Sequence, residues 1–304
     1  MKKSTIVCFL TLLVSHCAWC TVLDLMTSQW GITSDTGVVA SVSVSDNANQ
    51  INYNFGSGGW SEIRNDTIGD LDISSGDGLR FYFKGSGAKN HLKLQVYDSD
   101  GDTFDRKIEN ITDVSQWSEM IVPFSSLSHW AGTGNGVLDT KKISKIAFTV
   151  TPSDGGSGSI AIDKIEQYKL NDNSFFLVDS FNFGTPPNEA GGNEGVMAPD
   201  GADYNATAVY TSTQNYEGFY GLSLKYDFPV GGWCGYWIFL SSAGDSGYRD
   251  LSSYTHLKFW VKSKTPERKF KIEIKDTASN KYVQLDSYLT SGTSTFYQEV
   301  SIPL

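Results

Sequence analysis

The sequence predicts an all-β protein built from two tandem antiparallel β-sandwich jelly-roll domains, the second incomplete at its C-terminus. Three observations predict this class: apolar and polar residues alternate with a period of two, turns rich in Gly, Ser and Asp separate the alternating runs, and a domain-sized segment repeats. No stretch after the first twenty residues keeps a 3.6-residue apolar period. A chain of 304 residues, 39% of them hydrophobic, suits two domains of about 130 to 150 residues each.

The repeat is first visible in a short echo. "YNFGSGGW", residues 53–60, returns as "YDFPVGGW", residues 226–233. "LRFYFKG", beginning at Leu79, returns as "LKFWVKS", beginning at Leu257, and "WSEMIVPF" returns as "FYQEVSIPL". The spacing between the copies drifts by only a few residues, as loop-length changes produce in a duplicated domain.

The strands follow from the alternation. "LRFYFK" places Leu79, Phe81 and Phe83 on one face, and "HLKLQVYD" is predicted as its hairpin partner. The first copy ends with two more runs, "KKISKIAFTV" and "IAIDKIEQYKL", that have no counterpart before Leu304. We therefore expect domains at 21–170 and 171–304, the second truncated, and a chain that is a fragment of a longer protein.

The N-terminus has the pattern of a secretory signal. Lys2 and Lys3 precede the apolar run "TIVCFLTLLV", which is too short to span a membrane, and cleavage is predicted after Cys20. The alternative is lipoprotein processing at Cys17. Either route predicts a secreted or cell-surface protein in which Cys234 is the one cysteine remaining, as a small buried apolar residue.

Charge and motifs exclude several functions. A net charge of -10, without any basic run, disfavours binding to nucleic acid or anionic lipid. The sequence contains no HExxH, GxSxG, Walker or Rossmann pattern, so nothing in this chain predicts an enzyme.

Longer strings carry a family resemblance. "NYEGFYGLSLKYDFPVGGWCGYWIFL", "YRDLSSYTHLKFWVKS" and "FYQEVSIPL" resemble the carbohydrate-binding modules of the galactose-binding-like superfamily, family 11 above all. In the first copy, "IAIDKIEQY" is similar to the terminal strand of that superfamily. The resemblance implies a jelly roll that binds an oligosaccharide or polysaccharide without catalysis, usually beside a structural calcium ion. A glycoside hydrolase or lyase domain beyond Leu304, served by these modules, is one alternative, and a structural or adhesive surface protein is another.

Candidate sugar contacts are outward aromatic and polar residues, because a pyranose offers an apolar face and a rim of hydroxyls. The competing interpretation is a solvated sheet face with ordinary cross-strand pairs. The candidates are Arg80, Tyr82, Gln95 and Tyr97 in the first copy, and Trp237, Lys258, Trp260 and Glu273 in the second.

The sequence also suggests calcium ligands and two core tryptophans. Asp163 and Asp24 are the candidate calcium ligands that the resemblance implies. "DSDGDTFDRKIE", residues 98–109, is predicted to be a hairpin instead of a calcium loop, since Thr103 stands where such a loop needs Gly. Trp60 and Trp233, each preceded by two glycines, are predicted to pack in the core.

Overall fold

The computed structural model describes residues 4–9, 21–23, 30–45, 48–169, 176–201, 203–213, 215, 218–244, 247–264, 271–275, 280–284, 288–289 and 293–304. Their contacts divide the chain into two compact units. The first unit comprises 16–171, and the second comprises 172–304 together with 1–15. Strands dominate both units, as the alternation predicts, and only one 3₁₀ turn, Phe124–Ser126, interrupts them in the described ranges.

The first unit is a sandwich of two antiparallel sheets. One sheet has the order β10-β7-β13-β5-β4, with β2 paired to the end of β13. Its strands are β2 (Thr21–Val22), β4 (Val39–Ser45), β5 (Ala48–Asn54), β7 (Gly78–Gly87), β10 (Ser118–Pro123) and β13 (Ser157–Tyr168). The other has the order β11-β9-β8-β12-β6-β3. Its strands are β3 (Gly31–Ser34), β6 (Ser61–Asn65), β8 (His91–Asp98), β9 (Asp102–Ile108), β11 (Ser128–Gly132) and β12 (Ile143–Thr151).

The core of this sandwich comes from the predicted alternation. Phe81 on β7 and Leu94 on β8 are completely buried, and so are the residues two positions before and after each of them. The Phe81 ring meets Phe148 of β12 edge to face, with 4.8 Å between ring centres. Because β7 and β12 belong to different sheets, this contact joins the two layers of the sandwich.

The predicted pairing of β7 with β8 is wrong. β7 pairs with β10 and β13, while β8 pairs with β12 and β9. The short connection between them crosses from one sheet to the other instead of turning back. Buried Asn90 holds this arch: its Oδ1 accepts the backbone N–H of Ser153 and of Gly155, and its Nδ2 donates to the carbonyl of Ala88.

The second unit contains a five-stranded sheet of order β15-β16-β1-β18-β21. Two separate pairs, β14 with β17 and β19 with β20, complete its described strands. The bounds are β1 (Ser4–Phe9), β14 (Glu194–Met197), β15 (Asn205–Thr211), β16 (Gly221–Asp227), β17 (Gly235–Ile238), β18 (His256–Ser263), β19 (Lys271–Lys275), β20 (Asn280–Gln284) and β21 (Gln298–Pro303). Phe259, Val261, Leu289, Val300 and Ile302 form its buried cluster.

The order of the five main strands in the β7 sheet of the first unit corresponds, strand for strand, to the order in the five-stranded sheet of the second unit. β4, β5, β7 and β10 of the first unit match β15, β16, β18 and β21 of the second, as the sequence repeat requires. The central place held by β13 in the first unit is held in the second by β1, which pairs with β16 and with β18. This strand lies within the predicted signal segment, whose residues 10–20 lie outside the described ranges. Among the described residues, no helix has the length and apolar character needed to cross a membrane.

Candidate functional site

The outward faces of β7 and β8 lie on opposite sides of the first sandwich. Leu79, Phe81 and Phe83 point inward from one sheet, so Arg80 and Tyr82 point outward from it. Gln95 and Tyr97 alternate with the buried Leu94 and Val96 of the other sheet. The four candidates of the first copy therefore belong to two separate surfaces.

The β8 side carries a connected polar cluster. Thr149 of β12 lies between Gln95 and Glu62, and its hydroxyl is 2.5 Å from Gln95 Oε1 and 3.2 Å from Glu62 Oε2. Arg64 donates to Glu62 Oε1 over 3.3 Å and to Asp66 over 2.9 Å. These contacts fix side chains from β6, β8 and β12 on the outer side of this sheet, where Glu62, Gln95 and Thr149 are buried and Arg64 is half-buried.

Aromatic rings flank this cluster on both sides. Lys145 Nζ lies 3.9 Å from the centre of the Tyr97 ring, and Lys93 Nζ lies 5.1 Å from the centre of the Trp130 ring. Lys93 is also 2.5 Å from a carboxylate oxygen of Asp105. Trp130, on β11, is 58% exposed, so one face of its ring is open to solvent.

We call this surface the β8 platform. Burial first, and then the charge of Glu62, raises the pKa of Tyr97 to about 12, so its hydroxyl stays protonated and able to donate at neutral pH. Flat rings next to fixed donors and acceptors can support a pyranose ring and bind its hydroxyls. The platform comprises Glu62, Arg64, Lys93, Gln95, Tyr97, Asp105, Trp130, Lys145 and Thr149.

Sequence reasoning found Gln95 and Tyr97 but missed the rest of the platform. The period of two in "SEIRN" placed Glu62 and Arg64 on one face, but nothing in the sequence aligned β6 with β12 and β8. Trp130 lies in a five-residue strand that is exposed throughout, where an apolar alternation is absent.

On the opposite side of the first sandwich, Tyr82 donates to Glu119 across 2.7 Å. Arg80 Nη2 approaches Glu166 Oε2 to 2.5 Å. Burial, and then the contact with Glu119, raises the pKa of Tyr82 to about 12. These two candidates are therefore half-buried members of a cross-strand network on β7, β10 and β13.

The candidates of the second unit lie on three different strand groups. Lys258 and Trp260 project from β18, whereas exposed Glu273 lies on β19, where it forms an ion pair of 2.9 Å with Lys271. Trp237 lies on β17, half-buried, with its ring centre 4.6 Å from that of Phe239. The structure does not bring these four residues into one described cluster.

Trp60 and Trp233, the tryptophans that follow paired glycines, are not buried in the core as the sequence predicts. Trp233 is 52% exposed and Trp60 is only half-buried. A buried tryptophan does exist in the first core, but it is Trp30, whose ring lies 6.0 Å from Phe148. Cys234 is likewise half-buried instead of fully enclosed, and burial raises the pKa of its thiol.

Of the two predicted calcium ligands, the structure describes one. Asp24 lies outside the described residues. Asp163 lies at a bulge of β13, where its Oδ1 accepts the backbone N–H of Lys164 over 2.7 Å. The acidic group that does converge is Asp98, Asp100 and Asp102, whose carboxylates lie within 4.8 Å of one another at the predicted β8–β9 hairpin, which is confirmed.

The carboxylates of the hairpin group already have partners. Asp102 accepts hydrogen bonds from the backbone of Gly134 and Gly136 and lies 3.1 Å from His129 Nε2, and these contacts lower its pKa against the effect of burial. Asp98 accepts from the backbone of Asp102 and of Asp139. The group therefore stabilises the turn that joins β8 to β9.

A second acidic cluster lies in the second unit, around Asp179, the residue that the resemblance places at the position equivalent to Asp24; its two glutamates were not predicted. Asp179, Glu189 and Glu194 are all buried, and Oδ2 of Asp179 and Oε2 of Glu194 have no hydrogen-bond partner. Burial, and then the two neighbouring glutamates, raises the pKa of Asp179 well above its usual range. Such clustered, desolvated carboxylates are costly unless a cation compensates them.

Comparisons with known proteins match both copies to carbohydrate-binding domains, but to two different families: the second copy, whose strings carried the resemblance to family 11, matches domain 30. Residues 21–170 match the carbohydrate binding domain of family 11, and residues 188–304 match carbohydrate binding domain 30. No curated protein matches the chain.

Solved structures with similar folds include two family 11 modules from Clostridium thermocellum. One, in complex with a β-1,3-1,4-mixed-linked tetrasaccharide, is 21% identical with a TM-score of 0.41, covering 50% of this chain and 96% of that one. The other, from the cellulosomal cellulase Lic26A-Cel5E, is 19% identical with a TM-score of 0.39, covering 50% and 95%. The agarase AgWH50C is 14% identical with a TM-score of 0.37, covering 50% of this chain and 25% of that one.

Proposed function

This chain is a tandem of carbohydrate-binding modules that resemble family 11, and on that premise we propose that its first module binds a neutral polysaccharide on the β8 platform. The observation that carries the proposal is the joining of two rings, Tyr97 and Trp130, to a fixed polar cluster on one outer sheet face. Binding of this kind is non-catalytic.

Charge favours a neutral polymer. Each cation of the platform is paired with a carboxylate or lies over a ring, as Lys93 does with Asp105 and Trp130. With Asp66, which pairs with both Arg64 and Lys145, the three cations of the platform face three carboxylates. Such a site gives no electrostatic advantage to a sulfated or uronic-acid chain, and the net charge of -10 opposes such polyanions further.

Export belongs to the same proposal. Lys2, Lys3 and the apolar run that follows them support a cleaved secretory signal, with lipid attachment at Cys17 as the alternative. Either route would remove β1 from its place between β16 and β18, so the export proposal competes with that strand pairing. An exported pair of modules would hold a linked glycoside hydrolase or lyase on its polymer. N-terminal sequencing of protein recovered from the culture medium tests the export, because an intact Met1 in that fraction would contradict it.

We further propose a structural calcium ion in the second module, at Asp179, Glu189 and Glu194. The two partnerless carboxylate oxygens fit a hard cation, which prefers several oxygen ligands. Asp163, the residue that the resemblance implied, accepts a hydrogen bond from the backbone of Lys164, and its implied partner Asp24 lies outside the described residues. When bound, calcium would neutralise the buried charge and fix the loop before β14.

Retention of the full chain in gels of soluble polysaccharide tests the binding proposal. The panel contains mixed-linkage β-glucan, xyloglucan, galactomannan, agarose and, as a polyanion, polygalacturonate. Trp130→Ala and Tyr97→Ala are each expected to weaken binding to a neutral polymer about tenfold, the loss typical of an aromatic contact at the centre of a site. Tyr248→Ala, which removes a 65% exposed ring elsewhere, is the matched control. Unchanged retention of both platform variants, or a parent chain that no polymer retains, would overturn the proposal.

A further inference from the structure

Five outward side chains of the first module recur at equivalent strand positions of the second. We call the two sets the paired surfaces. In the first module they are Arg80, Tyr82 and Lys84 on β7, Trp117 just before β10, and Glu119 on β10. In the second they are Lys258, Trp260 and Lys262 on β18, Tyr297 just before β21, and Glu299 on β21.

The contacts recur with the residues. Lys84 Nζ lies 4.8 Å from the centre of the Trp117 ring, and Lys262 Nζ lies 4.3 Å from the centre of the Tyr297 ring. Each pair places a lysine of the inner strand over an aromatic ring at the start of the edge strand. Trp117 is 42% exposed and Tyr297 is half-buried, and a cation over a ring near the surface contributes little to the free energy of folding, so the arrangement is not a major source of stability.

The ion pair on each surface is also repeated. Arg80 lies 3.6 Å from Glu119, and Lys258 lies 3.8 Å from Glu299. Between the cations of each strand stands an aromatic residue, Tyr82 or Trp260, opposite the glutamate in the strand register. Each surface thus has two aromatic residues on a cross-strand diagonal, about 7–8 Å apart at the backbone, with a cation and a carboxylate beside them.

The β8 platform does not recur in this way. The second-copy counterparts of Gln95 and Tyr97 are Glu273 and Lys275, on the two-stranded sheet of β19 and β20, where the aromatic position has become a lysine. Among the described residues, the paired surface is an outward feature that the two modules hold in common. Core packing does not explain it, because Trp117 is 42% exposed and the inward positions of β7 and β18 are filled by other residues.

From this recurrence we propose that both modules bind polysaccharide through the paired surface, which in the first module is a second binding face on the sheet opposite the β8 platform. The inference rests on the proposed function. Its ligand is a neutral glycan chain, because adjacent aromatic rings offer stacking area, the two cations and one carboxylate of each surface can hydrogen-bond hydroxyl groups, and the net charge of -10 of the whole chain opposes a polyanion. Two like surfaces on one chain would raise the apparent affinity by avidity where the polymer reaches both.

The test uses retention of the full chain by the polysaccharide that the parent binds best. Trp117→Ala with Tyr82→Ala removes the rings of the first surface, and Tyr297→Ala with Trp260→Ala removes those of the second. Each double variant is expected to bind about tenfold more weakly. The quadruple variant is expected to keep only the binding of the β8 platform, which the further substitution Trp130→Ala should then remove. Trp117→Ala with Tyr297→Ala, which leaves the Tyr82–Glu119 hydrogen bond intact, is the milder variant and is expected to weaken retention several-fold with an unchanged unfolding midpoint.

The outcomes separate this inference from the proposed function. A quadruple variant that is folded and retained as strongly as the parent, while Trp130→Ala is not retained, overturns the paired surfaces and leaves the β8 platform intact. Loss of retention in the quadruple variant with no effect of Trp130→Ala supports the paired surfaces and overturns the platform. A parent that no polymer retains overturns both.

Discussion

The Tyr210 hydroxyl donates a hydrogen bond to Oε1 of Glu194, while Oε2 of the same buried carboxylate has no partner. Asp179 beside it also has one partnerless oxygen. We expect calcium added to EDTA-treated protein to raise the thermal unfolding midpoint of the second module, with a stabilisation of about 2.7 kcal/mol at a hundredfold excess over Kd. Asp179→Asn with Glu194→Gln should stabilise the metal-free protein, because it removes buried charge, and should abolish the calcium shift. Asp163→Asn is the control and should leave the shift unchanged; a parent without any shift would contradict the site.

Asn90 is expected to be the most sensitive polar position of the first module. Asn90→Ala removes the acceptor of the backbone N–H groups of Ser153 and Gly155 and the donor to the carbonyl of Ala88. The loss of these three hydrogen bonds of a fully buried side chain, at about 1 kcal/mol each, should lower the free energy of unfolding by about 3 kcal/mol. Asn90→Asp keeps one acceptor oxygen but places a carboxylate oxygen against the carbonyls of Ala88 and Gly155, so it should cost no less than Asn90→Ala. The control is Asn54→Ala, which removes an exposed acceptor of the Gly56 N–H and should cost under about 1 kcal/mol. Urea unfolding followed by tryptophan fluorescence measures the free energy of unfolding of the three variants. Equal losses for Asn54→Ala and Asn90→Ala would contradict this role of Asn90.

The same asparagine explains where sequence reasoning failed. Alternation in "LRFYFK" and "HLKLQVYD" identified both strands and their inward residues, because burial on one face imposes a period of two. It could not identify the partner of either strand. The short link through Asn90 has the length of a hairpin loop, but the hydrogen bonds that turn it into an arch between sheets come from residues more than sixty positions away.

The residues of the candidate sites were likewise predictable only in part. Outward positions such as Tyr82 and Trp260 follow from strand parity, so they were predictable. The β8 platform depends on the register of β6, β8, β9, β11 and β12, which local pattern does not contain. Glu189 and Glu194 escaped notice because they belong to a loop and a short strand with no periodicity, and only the fold brings them to Asp179.

Tyr97 gives a titration test of the β8 platform. Its pKa is raised to about 12, against a usual value near 10, by burial and then by Glu62. A folded-state pKa above the unfolded value means that this stabilising contribution is complete below pH 10 and is lost as the pH rises through 12. We expect the difference in phenolate absorbance between the parent and Tyr97→Phe to titrate near 12, and Glu62→Gln to move it downward. Glu119→Gln, which acts on Tyr82, should leave the Tyr97 signal in place; a Tyr97 phenol that titrates near 10 would contradict the packing described.

Gly195 controls the placement of the Trp237 ring. The two residues are partners in the β14–β17 pair, and a Cβ at Gly195 would lie 2.9 Å from Trp237 Cζ2, closer than van der Waals contact allows. Gly195→Ala must therefore displace the indole, which is already packed against Phe239. If Trp237 contacts sugar, as the sequence predicts, Gly195→Ala should weaken the second module's binding by a factor approaching that of Trp237→Ala and should shift the tryptophan emission. Gly31→Ala is the matched control, because its added Cβ meets only ordinary contacts at 3.7 Å and beyond. A Gly195→Ala protein with shifted emission and undiminished sugar retention would remove Trp237 from the binding surface.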